Sequence, residues 1–419
     1  MPTSEQTPSA SPSRSSFAEP RFRWLFASNT TFFLGMGGQQ VLRAWLVFQI
    51  TGSELALGLV SAVVAVPMLL VAPIGGAVAD RVDRRQLVAG GQAMIVVAEI
   101  ATLGLLLAGR LEFWHLLLLA AVMGAAFPFI MPARQAIVAD VVGRERLTNA
   151  MAVNMAAVNT TRVLGPAAAG FLIGGIGLER AYALNVGLYL TALLFMIGVG
   201  AAPAAPEARE LSITSNMVEG FQYVRGNRLV LILLFFGLLP PFLMMPFQSL
   251  LVVFAEDIWQ VGAQGLGLLS AAAGVGGVLG AVLVALRRTS PERLRLMMVS
   301  IFGFGGCLFF FAKSPWFLPA LVAVFVANVF AALYGTLNNT SIQELIPDAV
   351  RGRVSSFLMM SFSLPLFGTL PISAVAELYG APNAVALASI MAVVICLAFY
   401  AASPSLRQMD ARLREAMNR

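Results

Sequence analysis

Three ionisable residues, Arg43, Glu99 and Arg162, stand inside long apolar stretches of this 419-residue chain. A charge at mid-membrane costs at least ~2.5 kcal/mol on insertion scales, so each calls for a purpose. Gln39 and Gln40 precede Arg43 by four and three residues and share its helix face. Asn159 lies one turn before Arg162, and Asn154 two turns before it. Arginine keeps its charge at any relevant pH. Arg43 and Arg162 can therefore bind an anionic group or bias a nearby carboxylate, but neither can carry a proton. Glu99 can. The bland readings are ion pairing between helices for the arginines and a protonated, interhelical or lipid-facing carboxyl for Glu99.

This chemistry is binding and proton exchange, not bond-making. The single histidine, His115, opens the fourth apolar stretch and reads as an interfacial side chain. Cys307 and Cys396 both fall in apolar stretches and read as small core residues, so neither a disulfide framework nor a thiolate metal site is expected. The acid–base and metal-ligand kit of a membrane enzyme is missing, and the chain reads as a non-enzyme without metal or cofactor.

The elements that hold these residues follow from composition. Hydrophobic residues make up 58% of the chain and charged residues 11%, against about a quarter charged in a soluble globule. Lipid is its solvent. A helix needs ~20 apolar residues to cross, and such stretches run over 24–48, 55–79, 87–108, 113–136, 148–173 and 181–200, then 228–254, 265–286, 296–312, 316–340, 354–378 and 382–402. The reading is an all-α membrane protein of twelve transmembrane helices in two six-helix bundles. Its parts are a Ser/Pro-rich disordered tail (1–20), a first bundle (21–200), a linker (201–227), a second bundle (228–403) and a closing tail (404–419). Met217, Phe221 and Val224 recur at helical spacing in the linker, which suggests a short surface helix.

Basic residues alternate by loop. Of the 27, only Arg110, Arg180 and Lys313 fall in loops opposite the termini, while loops on the terminal face hold clusters such as Arg81, Arg84 and Arg85, or Arg134, Arg144 and Arg146. By the positive-inside rule both termini are cytoplasmic. The net charge of +6 is thus explained by topology, and no nucleic-acid partner is implied.

The halves repeat. Val47, Phe48 and the run Leu57–Ser61 (LGLVS) recur as Val253, Phe254 and Leu266–Ser270 (LGLLS), and Asp140 in the loop after the fourth span has a counterpart in Glu344 after the tenth. Repeated halves mark secondary transporters, with the site between them near the midplane. Pro240, Pro241, Pro246, Pro365 and Pro371 predict bent or broken seventh and eleventh helices, and Asn328, Asn338 and Asn339 put polar groups on the tenth.

After the second span comes Gly76-Ala-Val-Ala-Asp80-Arg81-Val-Asp83-Arg84-Arg85. The glycine lets a neighbouring backbone approach, and the arginines hold that end in the cytoplasm. This stretch resembles the cytoplasmic signature of the major facilitator superfamily, with Asp83 where that signature usually has glycine. The second-half equivalent, Gly280 to Arg288, has Val284 in place of the acid. The resemblance implies that Asp80 caps the eleventh helix near Gly352 to Ser356 and that Arg84 pairs with Asp140, latching the cytoplasmic side. The alternative is that these arginines only enforce topology.

A narrower resemblance rests on Leu46–Ser53, Met131–Asp140, Arg162–Pro166, Arg351–Val354 and Ala376–Pro382, which look like the branch including the enterobactin exporter and macrolide-efflux proteins. Gly165, Pro166 and Gly170 are similar to the fifth-helix antiporter motif of drug exporters, with Thr161 where that motif often starts with glycine. Ala121 stands where related antiporters carry a buried arginine before Gly124. The resemblance implies a proton-coupled exporter of an amphipathic or hydrophobic small molecule, resident in the cell membrane, with a substrate or coupling region at Gln39, Gln40, Arg43, Glu99, Asn154, Asn159 and Arg162. An importer or lipid flippase on the same fold, or a non-transporting sensor or scaffold, are the rival readings. Polar residues in the spans and the intact first signature argue against the last.

Overall fold

The computed structural model describes residues 15–79, 82–201, 222, 225–286, 292–346 and 364–411. Among the described residues there is no strand. Helix α1 spans Pro20–Thr51, α2 Glu54–Ala79 and α3 Arg84–Leu107. A helical run Phe113–Ile176 is interrupted at Gly143 (φ 70°, ψ 173°) and so contributes α4 (113–142) and α5 (144–176). Then follow α6 (Leu178–Ile197), α7 (Arg228–Ile258), α8 (Gly262–Leu286), α9 (Arg293–Lys313), α10 (Phe317–Leu345), α11 (Leu364–Tyr379) and α12 (Ala381–Ala402). Nine described helices are long and apolar enough to cross a membrane. The remaining three of the twelve expected are α1, α5 and the shorter α11.

The junction of α4 and α5 differs from the expected loop over 137–147. Ile137, Val138, Val141 and Val142 recur on one face and are all buried, so α4 continues to its last turn. The chain turns at Gly143 because only glycine takes that backbone conformation without strain. Arg134 therefore belongs to the helix and is buried, not part of a loop. The seventh helix is broken as its prolines predict. Its α-helical part ends at Met244, resumes at Phe247 and closes in a π-turn, Phe254–Ile258.

Residues 15–19 belong to the packed structure, contrary to a tail disordered through 20. The Ser16 hydroxyl donates to Asn149 Oδ1 at 2.6 Å, and Phe17 sits edge-on to Phe22 and Phe26. At the other end Leu406 and Met409 are fully buried against α7 and α9, and Asp410 accepts from the Leu294 N–H. Almost all of the expected linker 201–227, with Met217, Phe221 and Val224, lies outside the described residues.

The halves meet along two seams, α2 against α11 and α5 against α8. Both rest on small residues that let backbones touch. A Cβ on Gly170 would stand 2.5 Å from Ala263 O and 2.6 Å from Gly267 Cα, and one on Gly58 would stand 2.7 Å from Ser373 Cβ. Gly58 and Gly267 occupy the same place in the repeated LGLVS and LGLLS segments. The duplication read in the sequence is thus the pair of seam glycines.

Burial is distributed unevenly along the membrane normal. One apolar core joins both halves on the face away from the termini, uniting Trp45, Leu57 and Ile173 with Leu251, Leu266 and Ile372. On the terminal face the described residues form two separate cores, one per half. The first holds Phe22, Ile95, Ile130 and Met196, and the second holds Leu233, Met297, Ile342 and Met409. Among the described residues the two bundles share a core at the far face and keep separate cores toward the terminal face.

Candidate functional site

The first bundle contains a buried polar chain. Gln39 on α1, Glu99 on α3 and Tyr182 and Asn185 on α6 are all at most 4% exposed. Asn185 Nδ2 donates to Gln39 Oε1 at 2.8 Å, Gln39 Nε2 donates to the Tyr182 hydroxyl at 3.2 Å, and Tyr182 donates to Glu99 Oε2. Gly38 makes the arrangement possible, since a Cβ there would meet Asn185 Oδ1 at 2.7 Å. Every donor points toward Glu99, so the chain is polarised onto one carboxyl. The other oxygen, Oε1, has no hydrogen-bond partner among the described residues. Arg43, one turn after Gln39, lies within electrostatic reach of Glu99 and places Nη1 3.3 Å from Met123 Sδ. Three helices thus converge on one carboxyl with a spare oxygen and a cation nearby.

The third helix does not turn Glu99 to lipid, as the alternative reading of a lipid-facing carboxyl would have it. Gln40 is exposed. Tyr182 and Asn185 were not singled out from the sequence, although a lone asparagine in an apolar span carried the same signal as the residues that were.

A second cluster lies toward the terminal face. Arg134 on α4 is 3% exposed. It donates to Asn29 Oδ1 on α1, whose Nδ2 donates to Asn154 Oδ1 on α5 at 2.8 Å, and its guanidinium carbon sits 4.2 Å from the Phe32 ring centroid. No acidic side chain pairs with it among the described residues, and Nε and Nη2 have no partner there. Asn154 therefore serves Arg134 and is not grouped with Arg162. Asn159 is half-buried and Arg162 exposed, and neither has a hydrogen-bond partner among the described residues. The Arg162 carbonyl meets Gly274 of α8, where a Cβ would stand 3.0 Å away.

The fifth-helix motif divides its labour. Gly165 faces α1, where a Cβ would stand 2.7 Å from Leu34 O, and Pro166 abuts Gly37 of the same helix, while Gly170 faces α8. Backbone dihedrals stay helical through Pro166.

At the terminal face Arg84 Nη1 donates to both oxygens of Asp140, at 2.8 and 2.7 Å, tying α3 to α4. Arg85 donates to the carbonyls of Met196 and Ile197 at the end of α6, where a cation suits the helix dipole. Asp83 needs no glycine's freedom: at φ −54° its Oδ1 accepts from the Gln86 N–H and caps α3. Gly76 keeps a helical backbone in the last turns of α2. Asp80, Arg81 and the segment Gly352 to Ser356 lie outside the described residues. In the second half Arg293 grips both oxygens of Glu344, tying α9 to α10. This pair repeats Arg84–Asp140 by position. The match between Asp140 and Glu344 was visible in the sequence, yet its arginine was not.

Because the Arg84 and Asp140 side chains keep 13% and 31% of their surface, their pair is weak. Replacing Arg84 by Ala is expected to cost about 0.5–1 kcal/mol. Thermal unfolding of the detergent-solubilised protein should show a shift of only a few degrees, and a loss of fold would contradict this placement.

Known proteins extend the geometry. A family model described as transmembrane secretion effector matches residues 11–419. Enterobactin exporters EntS of several Escherichia coli strains are 27% identical over 348 residues, covering 80% of this chain and 80% of each relative. Among solved structures, the nucleoside transporter NupG superposes with a TM-score of 0.77 at 14% identity, over 91% of this chain and 98% of that one. A bacterial homologue of the human lysosomal transporter Spinster, in an inward-facing and unoccupied conformation, gives 0.71 at 16% identity, over 97% and 99%. At such identities the structures speak for the fold alone. The match over nearly the whole length, on a frame of two clasped helical bundles, makes this chain a member of the transmembrane secretion effector family of major facilitator transporters.

Proposed function

We propose that this transporter is a proton-coupled exporter of an amphipathic or hydrophobic small molecule, of the drug-like or siderophore kind, with both termini in the cytoplasm. The observation that carries the reading is Glu99, a fully buried carboxyl at which a directional hydrogen-bond chain ends and which has one oxygen to spare. A group so placed can gain or lose a proton while α1, α3 and α6 stay joined. The abundance of basic residues on the terminal face supports placing that face inside. Substrate then enters between the separate terminal-face cores, from the cytoplasm. The printed name of the EntS relatives, enterobactin exporter, favours the outward direction.

Efflux from cells lacking their own pumps, over a panel of hydrophobic and siderophore-like compounds, tests the reading. Expression of the chain is expected to lower accumulation of at least one compound about tenfold, and a protonophore should abolish the difference. Accumulation that rises on expression points to import. Efflux that survives collapse of the proton gradient removes the coupling and leaves the transporter.

A further inference from the structure

Among the described residues Arg134 is a buried cation without a counter-ion. It stands on α4 eight residues before Val142, about 12 Å from the terminal end of that helix at the rise of an α-helix. Nη1 donates to Asn29 Oδ1, and Asn29 Nδ2 donates in turn to Asn154 Oδ1 at 2.8 Å. Both amide oxygens of the cluster are thereby engaged, and the atoms left over are nitrogens. Arg134 Nε and Nη2 are buried without partners, and Asn154 Nδ2 has none among the described residues. Nε and Nη2 share one edge of the guanidinium plane, with N–H bonds that run parallel. That edge is the one a carboxylate or phosphate grips with two oxygens at once.

The surroundings provide no anion to meet it. Asp140, on the same helix, holds Arg84. Glu99 ends a different chain, since Asn29 and Gln39 are ten residues apart on α1, about 15 Å along its axis. The rings of Phe32 and Phe33, with centroids 4.2 and 5.9 Å from the guanidinium carbon, offset only part of the cost of burying an unpaired charge. Phe33 and Asn154 are both half-buried and lead from the cluster toward the surface of the bundle. An anion arriving past them meets an aromatic ring, an amide N–H and then the free edge of the guanidinium.

We propose that the free edge of Arg134 receives the anionic group of the carried molecule, a carboxylate, sulfonate or phosphate on an apolar aromatic body. Arg134 supplies the charge, Asn154 an N–H at the mouth, and Phe33 an apolar wall. A neutral relative of the same body leaves the guanidinium unpaired and so binds more weakly. That the anion is cargo rests on the exporter reading above. The binding itself does not, and it is separate from the proton chemistry of Glu99.

The test is calorimetric titration of the full chain in phosphatidylcholine nanodiscs, with empty nanodiscs as the blank. The probes are 2-naphthoate, naphthalene-2-sulfonate and 2-naphthyl phosphate, beside neutral 2-naphthamide and inorganic phosphate alone. At least one of the three aromatic anions is expected to bind about tenfold more tightly than either control. In Arg134→Met, which keeps much of the length and removes the charge, that advantage should vanish. Its unfolding temperature should hold or rise, because a buried unpaired charge has been removed. Arg134→Lys keeps the charge without the fork and should bind in between. No gradient is present, so anion binding without protonophore-sensitive efflux keeps this site and removes the coupling. The proposal is overturned if the parent binds the aromatic anions no better than 2-naphthamide, or if Arg134→Met keeps the preference. Inorganic phosphate binding as tightly as the aromatic anions ends the claim to cargo. Binding and unfolding temperature falling together in both variants would make Arg134 a structural residue and end the claim to a site.

Discussion

Replacing Gly170 by Val is expected to cut transport at least about tenfold while the chain still inserts and folds. A Cβ at that position meets backbone on the facing helix, Ala263 O at 2.5 Å and Gly267 Cα at 2.6 Å, so no side chain can swing aside. Overpacking of this kind costs ~1–3 kcal/mol, and each ~1.4 kcal/mol shifts a two-state ratio tenfold. The penalty falls only on the arrangement in which α5 and α8 touch at the far face. The variant should therefore accumulate with that face open, visible as lost cross-linking between cysteines placed at the far ends of α5 and α8. Two controls sharpen the reading. A Cβ on Gly174 meets the flexible side chain of Gln264, and one on Gly175 meets nothing within 4 Å. Gly174→Ala and Gly175→Ala should transport near the parental rate. Normal transport by Gly170→Val would mean that α5 and α8 do not close on this glycine.

That seam shows which parts of the molecule can be read from residues alone. The apolar stretches stand out because lipid demands length and greasiness whatever the neighbours are, and the repeated LGLVS and LGLLS runs stand out because both halves solve the same packing problem. Partners across helices do not stand out. Helical spacing links Asn154 to Arg162 along α5, but whether Asn154 joins Arg162 or, through Asn29, the cluster of Arg134 depends on how α5 is rotated against α1 and α4, which no single-helix periodicity encodes. Arg134 itself reads as one of the terminal-face basic residues, beside Arg144 and Arg146. Its burial is set by Phe32 and Asn29, about a hundred residues earlier. Glu377 was similarly mute. Its meaning lies in Ser53 and Leu55, in the other half.

The Glu99→Gln variant is expected to lower gradient-driven efflux about a hundredfold, on the scale lost when a proton-transferring group is removed. Glutamine keeps the shape of the buried side chain and its carbonyl can accept from Tyr182, so stability should change by no more than about 1 kcal/mol. What it cannot do is release a proton. Exchange of substrate across the membrane without a gradient should accordingly survive within severalfold, because that process needs the bundles to rock but not to discharge Glu99. Ala at the same place is a different perturbation. It leaves the buried Tyr182 hydroxyl without its acceptor, at a cost of ~1–3 kcal/mol, so thermal stability and both transport modes should fall together. Tyr182→Phe cuts the chain one step earlier but spares the carboxyl, and should fall between the two. If Glu99→Gln sustains protonophore-sensitive efflux at the parental rate, the proton is carried elsewhere, and the convergence of α1, α3 and α6 on this carboxyl serves only to hold the first bundle together.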